Sequence, residues 1–275
     1  MIRQGTRTSL HRVSVENYFA VVEENETGGR YVAAPGTAGP WNAQLQHGGP
    51  PSALLVRAAE RCVPAHDTHL CAVRAAVEFV GPVPVGEVTV NASVVRAART
   101  AALVSVTVSA HERVCLHGRV WLVRDRDTTT LSPSLGQPVT VPSGLPDLGG
   151  DFPYHDTIEW QAVRGSMRTP GPGLVWARPL HSLIAGEVMS GLQRVVLIGD
   201  SASGISATLD WDVWSFVNVD LDVHLSRPVE GDWVLIDAET DVGPSGSALA
   251  RSTVSDVLGP VGVTAQTLVI TPRNL

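Results

Sequence analysis

Asp200 follows directly on Val195, Val196, Leu197 and Ile198, in a stretch (residues 190–209) whose apolar side chains would crowd every face of a helix. A carboxylate placed there loses its water, and burying it alone costs on the order of several kcal/mol unless other groups bond to it. Held by such partners in low dielectric, an Asp suits the work of a general base. A local use is also open. The string Asp-Ser-Ala-Ser over residues 200–203 is a good N-cap for a second short helix.

Two amides and one loop could join Asp200. Asn218, in SFVNVDLDVHL, and Gln266, in VGVTAQTLVI, can each donate and accept hydrogen bonds. His47-Gly48-Gly49 stands just before Pro50-Pro51, where a helix should begin. A helix N-terminus carries partial positive charge and unpaired N–H groups, and glycine lets a ligand carbonyl come close to the backbone. The plain readings of these residues are a tight turn and a loop histidine. Asp220, Asp222 and His224 have the residue types of a metal site, but alternate positions along one strand spread them too far, so a solvated face is expected and no metal.

The elements that must position these groups can be traced along the chain. Residues 14–33 read as a strand followed by a Gly28-Gly29 turn. The loop WNAQLQHGGPP then feeds a helix that runs to about Cys62 and is stopped by Pro64. Val88, Val90, Ala92 and Val94 alternate with polar residues, as do Val104, Val106 and Val108, which marks antiparallel strands with one face on a core. Past Asp125 the pattern dissolves into Thr, Ser, Pro and Gly, and such a stretch reads as a linker. After it come strand Thr157–Arg164, a Pro170–Gly173 turn, the Asp200 helix, and strands at 215–226, 232–240, 246–256 and 261–270. The domains expected are 1–125, a Pro/Gly/Thr-rich linker at 126–153, and 154–275.

The two halves repeat. Gly86-Glu87-Val88 matches Gly231-Asp232-Trp233, Ala102-Leu103 matches Ala248-Leu249, and Leu122-Val123 matches Leu268-Val269, at offsets of 145 or 146 residues. Each half is then a helix and an antiparallel sheet, a duplicated α+β unit. Asp200 falls opposite Leu54 or Leu55, Asn218 opposite Ala72 or Val73, and Gln266 opposite Val120 or Trp121. Polar groups kept in only one of two copies point to a site confined to that copy. One pattern opposes this: Asn218 lies on the opposite strand parity from Val217, Val219, Leu221 and Val223. A bulge, or burial of both faces, would resolve it.

Composition narrows the classes. Of 275 residues 44% are hydrophobic and 17% charged, which fits a globular protein with a large core. The net charge of −7 argues against nucleic acid as a partner. Cys62, Cys71 and Cys115 have neither metal spacing nor an even count, as in a reducing compartment. MIRQGTRTSLHRV holds no apolar targeting segment, and no window approaches the ~18 apolar residues of a membrane span, so a cytoplasmic protein without membrane insertion is expected. No Gly-x-Ser-x-Gly elbow or dinucleotide fingerprint is present.

At HGGPPSALLVRAAERC, Asp200, FVNVDLDVHLSRP and AQTLVI, the chain resembles the acyl-CoA thioesterase II-like (TesB-like) family. The resemblance implies a tandem double hotdog, each half a long central helix wrapped by a curved antiparallel sheet. It implies a hydrolase of lipid metabolism acting on acyl-CoA thioesters, with no cofactor beyond the coenzyme A of the substrate itself. The catalytic set it implies is an Asp, a Thr or Ser, and a Gln, which fall at Asp200, Asn218 and Gln266; Asn218 departs from the hydroxyl residue. Water held by the two amides would be activated by Asp200, with His47, Gly48 and Gly49 on the substrate or its oxyanion. A hotdog dehydratase or hydratase using His47 and Asp200, an acyltransferase, and a non-catalytic acyl-binding protein are the alternatives. An exposed sheet edge also leaves a homodimer open.

Overall fold

The period-two stretches pair as strands, and in the computed structural model, which describes residues 17–63, 70–132 and 137–273, they join one hydrogen-bonded sheet. The first half runs β1 (Asn17–Asn25), β2 (Gly28–Ala33), α1 (Gly49–Cys62), β3 (Leu70–Phe79), β4 (Glu87–Ala98), β5 (Ala101–Ala110) and β6 (Arg113–Arg124). The second begins with β7 (Ile158–Ser166), β8 (Thr169–Pro179), β9 (Ser182–Ile184), α2 (Gly191–Gly199) and α3 (Ala202–Ile205). It continues with β10 (Trp214–Asn218), β11 (Asp220–Leu225), β12 (Val234–Val242), β13 (Ser247–Asp256) and β14 (Gly259–Pro272).

The duplication is visible in the strand path. The first half is ordered β1-β2-β4-β5-β6-β3 and the second β7-β8-β12-β13-β14-β11. The halves meet where β3 and β11 pair antiparallel, with Ala76 opposite Asp222. At the far edge β9 crosses over to pair in parallel with β1. α1 lies against α2 and against β3 to β6, and the apolar side chains of both halves form one continuous core.

Local chemistry explains the helices. Pro50 and Pro51 occupy the first turn of α1, where a missing N–H costs no helical bond, and all its residues but Glu60 and Arg61 are buried. α2 starts at Ser190, whose Oγ accepts from the N–H of Gln193 at 3.2 Å. The start of α1 crosses the last turn of α2 so closely that a Cβ on Gly49 would lie 2.2 Å from the carbonyl oxygen of Leu197. No side chain fits there.

Several expectations are corrected. Gly28 and Gly29 open β2; the turn is at Glu26-Thr27, where Asn25 Oδ1 accepts from Thr27 N–H at 2.8 Å. Pro170–Gly173 lies within β8, the turn before it falling at Met167-Arg168. The second helix is no single long rod but ends at Gly199 and resumes as α3. Pro64, expected to stop α1, lies outside the described residues. The Pro/Gly-rich segment after residue 136 runs bonded along the second half: Pro146 and Leu148 carbonyls accept from Ala162 and Met167 at 2.9 Å, and the Leu148 side chain is fully buried.

Candidate active site

Asp200 stands at the break between α2 and α3, 4% exposed. Its carboxylate does not cap α3; Ser201 occupies the N-cap, without a side-chain bond. Its partners come from distant strands. Oδ1 accepts from Asn218 Nδ2 at 2.8 Å and from Gln266 Nε2 at 3.2 Å. Oδ2 lies 3.0 Å from Nδ1 of His47, which belongs to the other half. A carboxylate has room for about four such contacts, so Oδ2 can accept one more.

A bulge brings Asn218 into this set. β10 pairs with β14 in a register that sets Asn218 opposite Leu268, whereas β11 sets Asp222 opposite Ala265. Four steps along one strand thus match three along the other, and the extra residue falls at the junction around Val219. Before it the buried residue is Phe216, and after it Leu221 and Val223, so the inward parity switches. The conflict in the sequence pattern disappears.

Gln266 is placed differently from the water-holding amide expected of it. It is fully buried, its Nε2 also reaches the backbone carbonyl of Asp200 at 3.1 Å, and its Oε1 accepts from Ser203 N–H at 3.2 Å. Both ends of the amide are thus spent on holding the helix break. Asn218 instead uses Nδ2 for Asp200 and the Asp220 carbonyl, at 2.8 and 3.1 Å, and keeps Oδ1 for a ligand or water.

His47 is held from two sides. Its ring stacks on Tyr154 with centroids 4.0 Å apart and planes 12° apart, and Phe152 lies roughly parallel at 6.3 Å. Tyr154 donates its hydroxyl to the Leu197 carbonyl at 2.6 Å, tying the imidazole stack to the last turn of α2. Burial holds the Tyr154 phenol well above its ordinary pKa, so it remains a donor. Tyr154 and Phe152 were not legible as site residues. The one hint is two aromatics at the end of a segment otherwise rich in Gly, Pro and Asp.

The His47 nitrogen facing Asp200 also lies 3.2 Å from the N–H of Gly49. Nδ1 offers either a proton or a lone pair, so these two contacts alternate. With the proton on Nδ1 the imidazole donates to Asp200 and releases the Gly49 amide; with the lone pair there it accepts from Gly49. Pro50 and Pro51 lack N–H groups, which leaves Gly48 and Gly49 as the amides before Ser52 at this helix start. Gly48 passes directly beneath the carboxylate: a Cβ there would lie 2.7 Å from Asp200 Oδ2 and 2.7 Å from the Phe79 ring.

Asp200, Asn218, His47, Gly48, Phe79 and Trp41 share the wall of a cavity of about 370 Å³. Gly49 and Gln266 stand behind it. Asp220, Asp222 and His224 do not converge: Asp220 accepts from Thr267 N–H, while Asp222 and His224 face Arg74 of β3. Among the described residues no group of three or more His, Cys, Asp or Glu side chains has the arrangement of a metal site.

The family model of the acyl-CoA thioesterase N-terminal domain matches residues 37–123, and that of the C-terminal domain matches residues 133–270. The chain belongs to the acyl-CoA thioesterase family. Its fold is hotdog-like and carries two thioesterase domains. Solved structures agree on the architecture. A putative thioesterase from Novosphingobium aromaticivorans superposes with a TM-score of 0.69 at 21% identity, over 91% of this chain and 98% of that one. The acyl-CoA thioesterase II TesB2 of Mycobacterium marinum gives 0.66 at 14% identity, over 92% and 94%. A hot dog fold protein of unknown function from Alicyclobacillus acidocaldarius gives 0.71 at 15%, over 92% and 96%. No curated protein matches in sequence.

Asp200 sits at the carboxyl end of α2, where the helix dipole opposes a negative charge, yet also against the amino end of α1, which attracts one. No helix among the described residues is long and apolar enough to cross a membrane.

Proposed function

We propose that this protein hydrolyses acyl-CoA thioesters by attack of a water molecule that Asp200 deprotonates, without a covalent intermediate. The supporting observation is the buried Asp200 carboxylate, bonded by Asn218 and Gln266 and faced by His47 across the two halves, at the wall of an apolar cavity. Water between Asp200 Oδ2 and Asn218 Oδ1 adds to the thioester carbonyl as its proton passes to Oδ2. The Gly48 amide, at the cavity wall, stabilises the oxyanion, while the Gly49 amide behind it holds His47. Collapse breaks the C–S bond, and the departing thiolate takes the proton, giving the free acid and coenzyme A.

Gln266 is a positioning residue that fixes the carbonyl and carboxylate of Asp200 together. On this reading residues 1–125 lend backbone and His47, residues 126–153 bring Phe152 to the site, and residues 154–275 carry the acid and both amides. The hydratase reading has one observation in its favour, the approach of His47 to Asp200. In that chemistry the two groups must reach different substrate carbons, whereas here they bond each other. The test is incubation with saturated and with enoyl-CoA thioesters, following free thiol and the enoyl absorbance. Thiol release from both thioesters, matching mole for mole any loss of the enoyl band, supports hydrolysis; loss of the band without thiol would establish the hydratase.

A further inference from the structure

The cavity beside Asp200 holds three of the chain's four phenylalanines, Phe79, Phe152 and Phe216, and two of its seven tryptophans, Trp41 and Trp211. Such a concentration is unexpected in a protein with 5% aromatic residues. The rings are also fixed in place. Trp41 and Trp211 stack with centroids 5.0 Å apart and planes at 22°, and Phe216 meets each edge-on, at 5.1 and 4.6 Å. Arg273 backs this wall: its guanidinium carbon is 5.8 Å from the Trp41 ring, and its Nη1 donates to the Trp211 carbonyl at 2.6 Å. On the other side the Phe79 ring lies against Gly48, beside the reacting carboxylate.

We infer that the acyl group carries an aromatic ring within one or two carbons of the thioester carbonyl, as in arylacetyl or aroyl thioesters; the inference rests on the hydrolase reading above. Aliphatic walls bury an alkyl chain as well as aromatic ones do, because apolar burial is non-directional. Rings fixed at stacking and edge-on angles gain from an aryl group a further attraction, by its quadrupole, that an alkyl chain does not offer. A preformed wall also spares the ligand the cost of ordering the pocket. The aromatic surface begins at Phe79, next to Asp200, which sets the ring close to the carbonyl. Hydrolysis then adds water across the acyl–sulfur bond and yields the aryl acid and the free thiol.

The test compares phenylacetyl-CoA with octanoyl-CoA, which has the same eight acyl carbons. Octanoyl presents more apolar surface and would be preferred on burial alone. A kcat/KM roughly three- to tenfold higher for phenylacetyl-CoA is expected, the size of an aromatic pair contribution. In Trp41→Leu and Trp211→Leu that ratio falls to one or below. Equal or better turnover of octanoyl-CoA by the wild-type protein overturns the inference while leaving hydrolysis intact, and needs no variant to fold. If neither thioester is hydrolysed, the hydrolase reading fails, and calorimetric binding of the two decides the ring preference by itself: tighter phenylacetyl-CoA sustains it, tighter octanoyl-CoA ends it.

Discussion

Nδ1 of His47 lies 3.0 Å from Oδ2 of Asp200, across the boundary between two copies of one scaffold. One residue opens the helix of the first half and the other closes the helix of the second. The contact therefore exists only when the amino end of α1 is packed on the carboxyl end of α2, and the absence of a side chain at Gly48 and Gly49 is what permits that packing.

Removing the imidazole should leave Asp200 with its two amide donors but without its proton-sharing partner. His47→Gln is expected to lower kcat roughly 10- to 100-fold, the range for a hydrogen bond to a charged group. KM should change little, since the cavity wall is otherwise intact. Steady-state kinetics on an acyl-CoA checks this; an unchanged kcat would make His47 a bystander.

The two amides should fail in different ways. Gln266→Leu bares the buried carbonyl of Asp200 and the Ser203 N–H, at a cost of about 1–3 kcal/mol for each group left unsatisfied, read as a lower urea midpoint. Asn218→Leu removes a side chain at the cavity wall, so kcat should fall with only a small change in that midpoint. Equal effects of the two substitutions on stability and rate would erase the distinction between positioning the carboxylate and orienting the water.

That distinction was not legible in the sequence, although both residues were. A matching order of elements at offsets of 145 or 146 residues sufficed to show that Asp200, Asn218 and Gln266 stand where the first copy is apolar. It could not tell which amide faces a ligand, because that depends on the bulge at Val219 and on the helix break at Asp200, each a matter of one residue in register. Tyr154 and Phe152 were hidden for a different reason. They end a segment with no periodicity, and only its return to the first half, where Tyr154 N–H reaches the Ala38 carbonyl at 3.0 Å, brings them onto His47.

At the other ends of the two helices lies a half-buried carboxylate with no part in the chemistry. Glu60 accepts from Ser190 Oγ at 2.7 Å and from Gln193, and burial raises its pKa above the ordinary value of 4.5. A raised carboxyl favours the folded state below its unfolded pKa, and that contribution is lost as pH rises through the folded value. Glu24 and Glu187, both lowered by their hydrogen bonds to Arg57, have the opposite slope, but in wild type and variant alike. The Tm of Glu60→Gln relative to wild type should therefore climb as the pH rises above about 4.5. A difference that stays flat over that rise would contradict the assignment.

The most direct test of the whole account is free-thiol release from an acyl-CoA by wild type and by Asp200→Asn. Asparagine keeps the volume of the side chain and an oxygen for Asn218 and Gln266, and its amide can donate to Nδ1 of His47, so the fold should persist by circular dichroism and Tm. The account predicts a loss of roughly 10²- to 10⁴-fold in kcat, the contribution of a general base. A folded Asp200→Asn protein that releases thiol within a few-fold of wild type would contradict it.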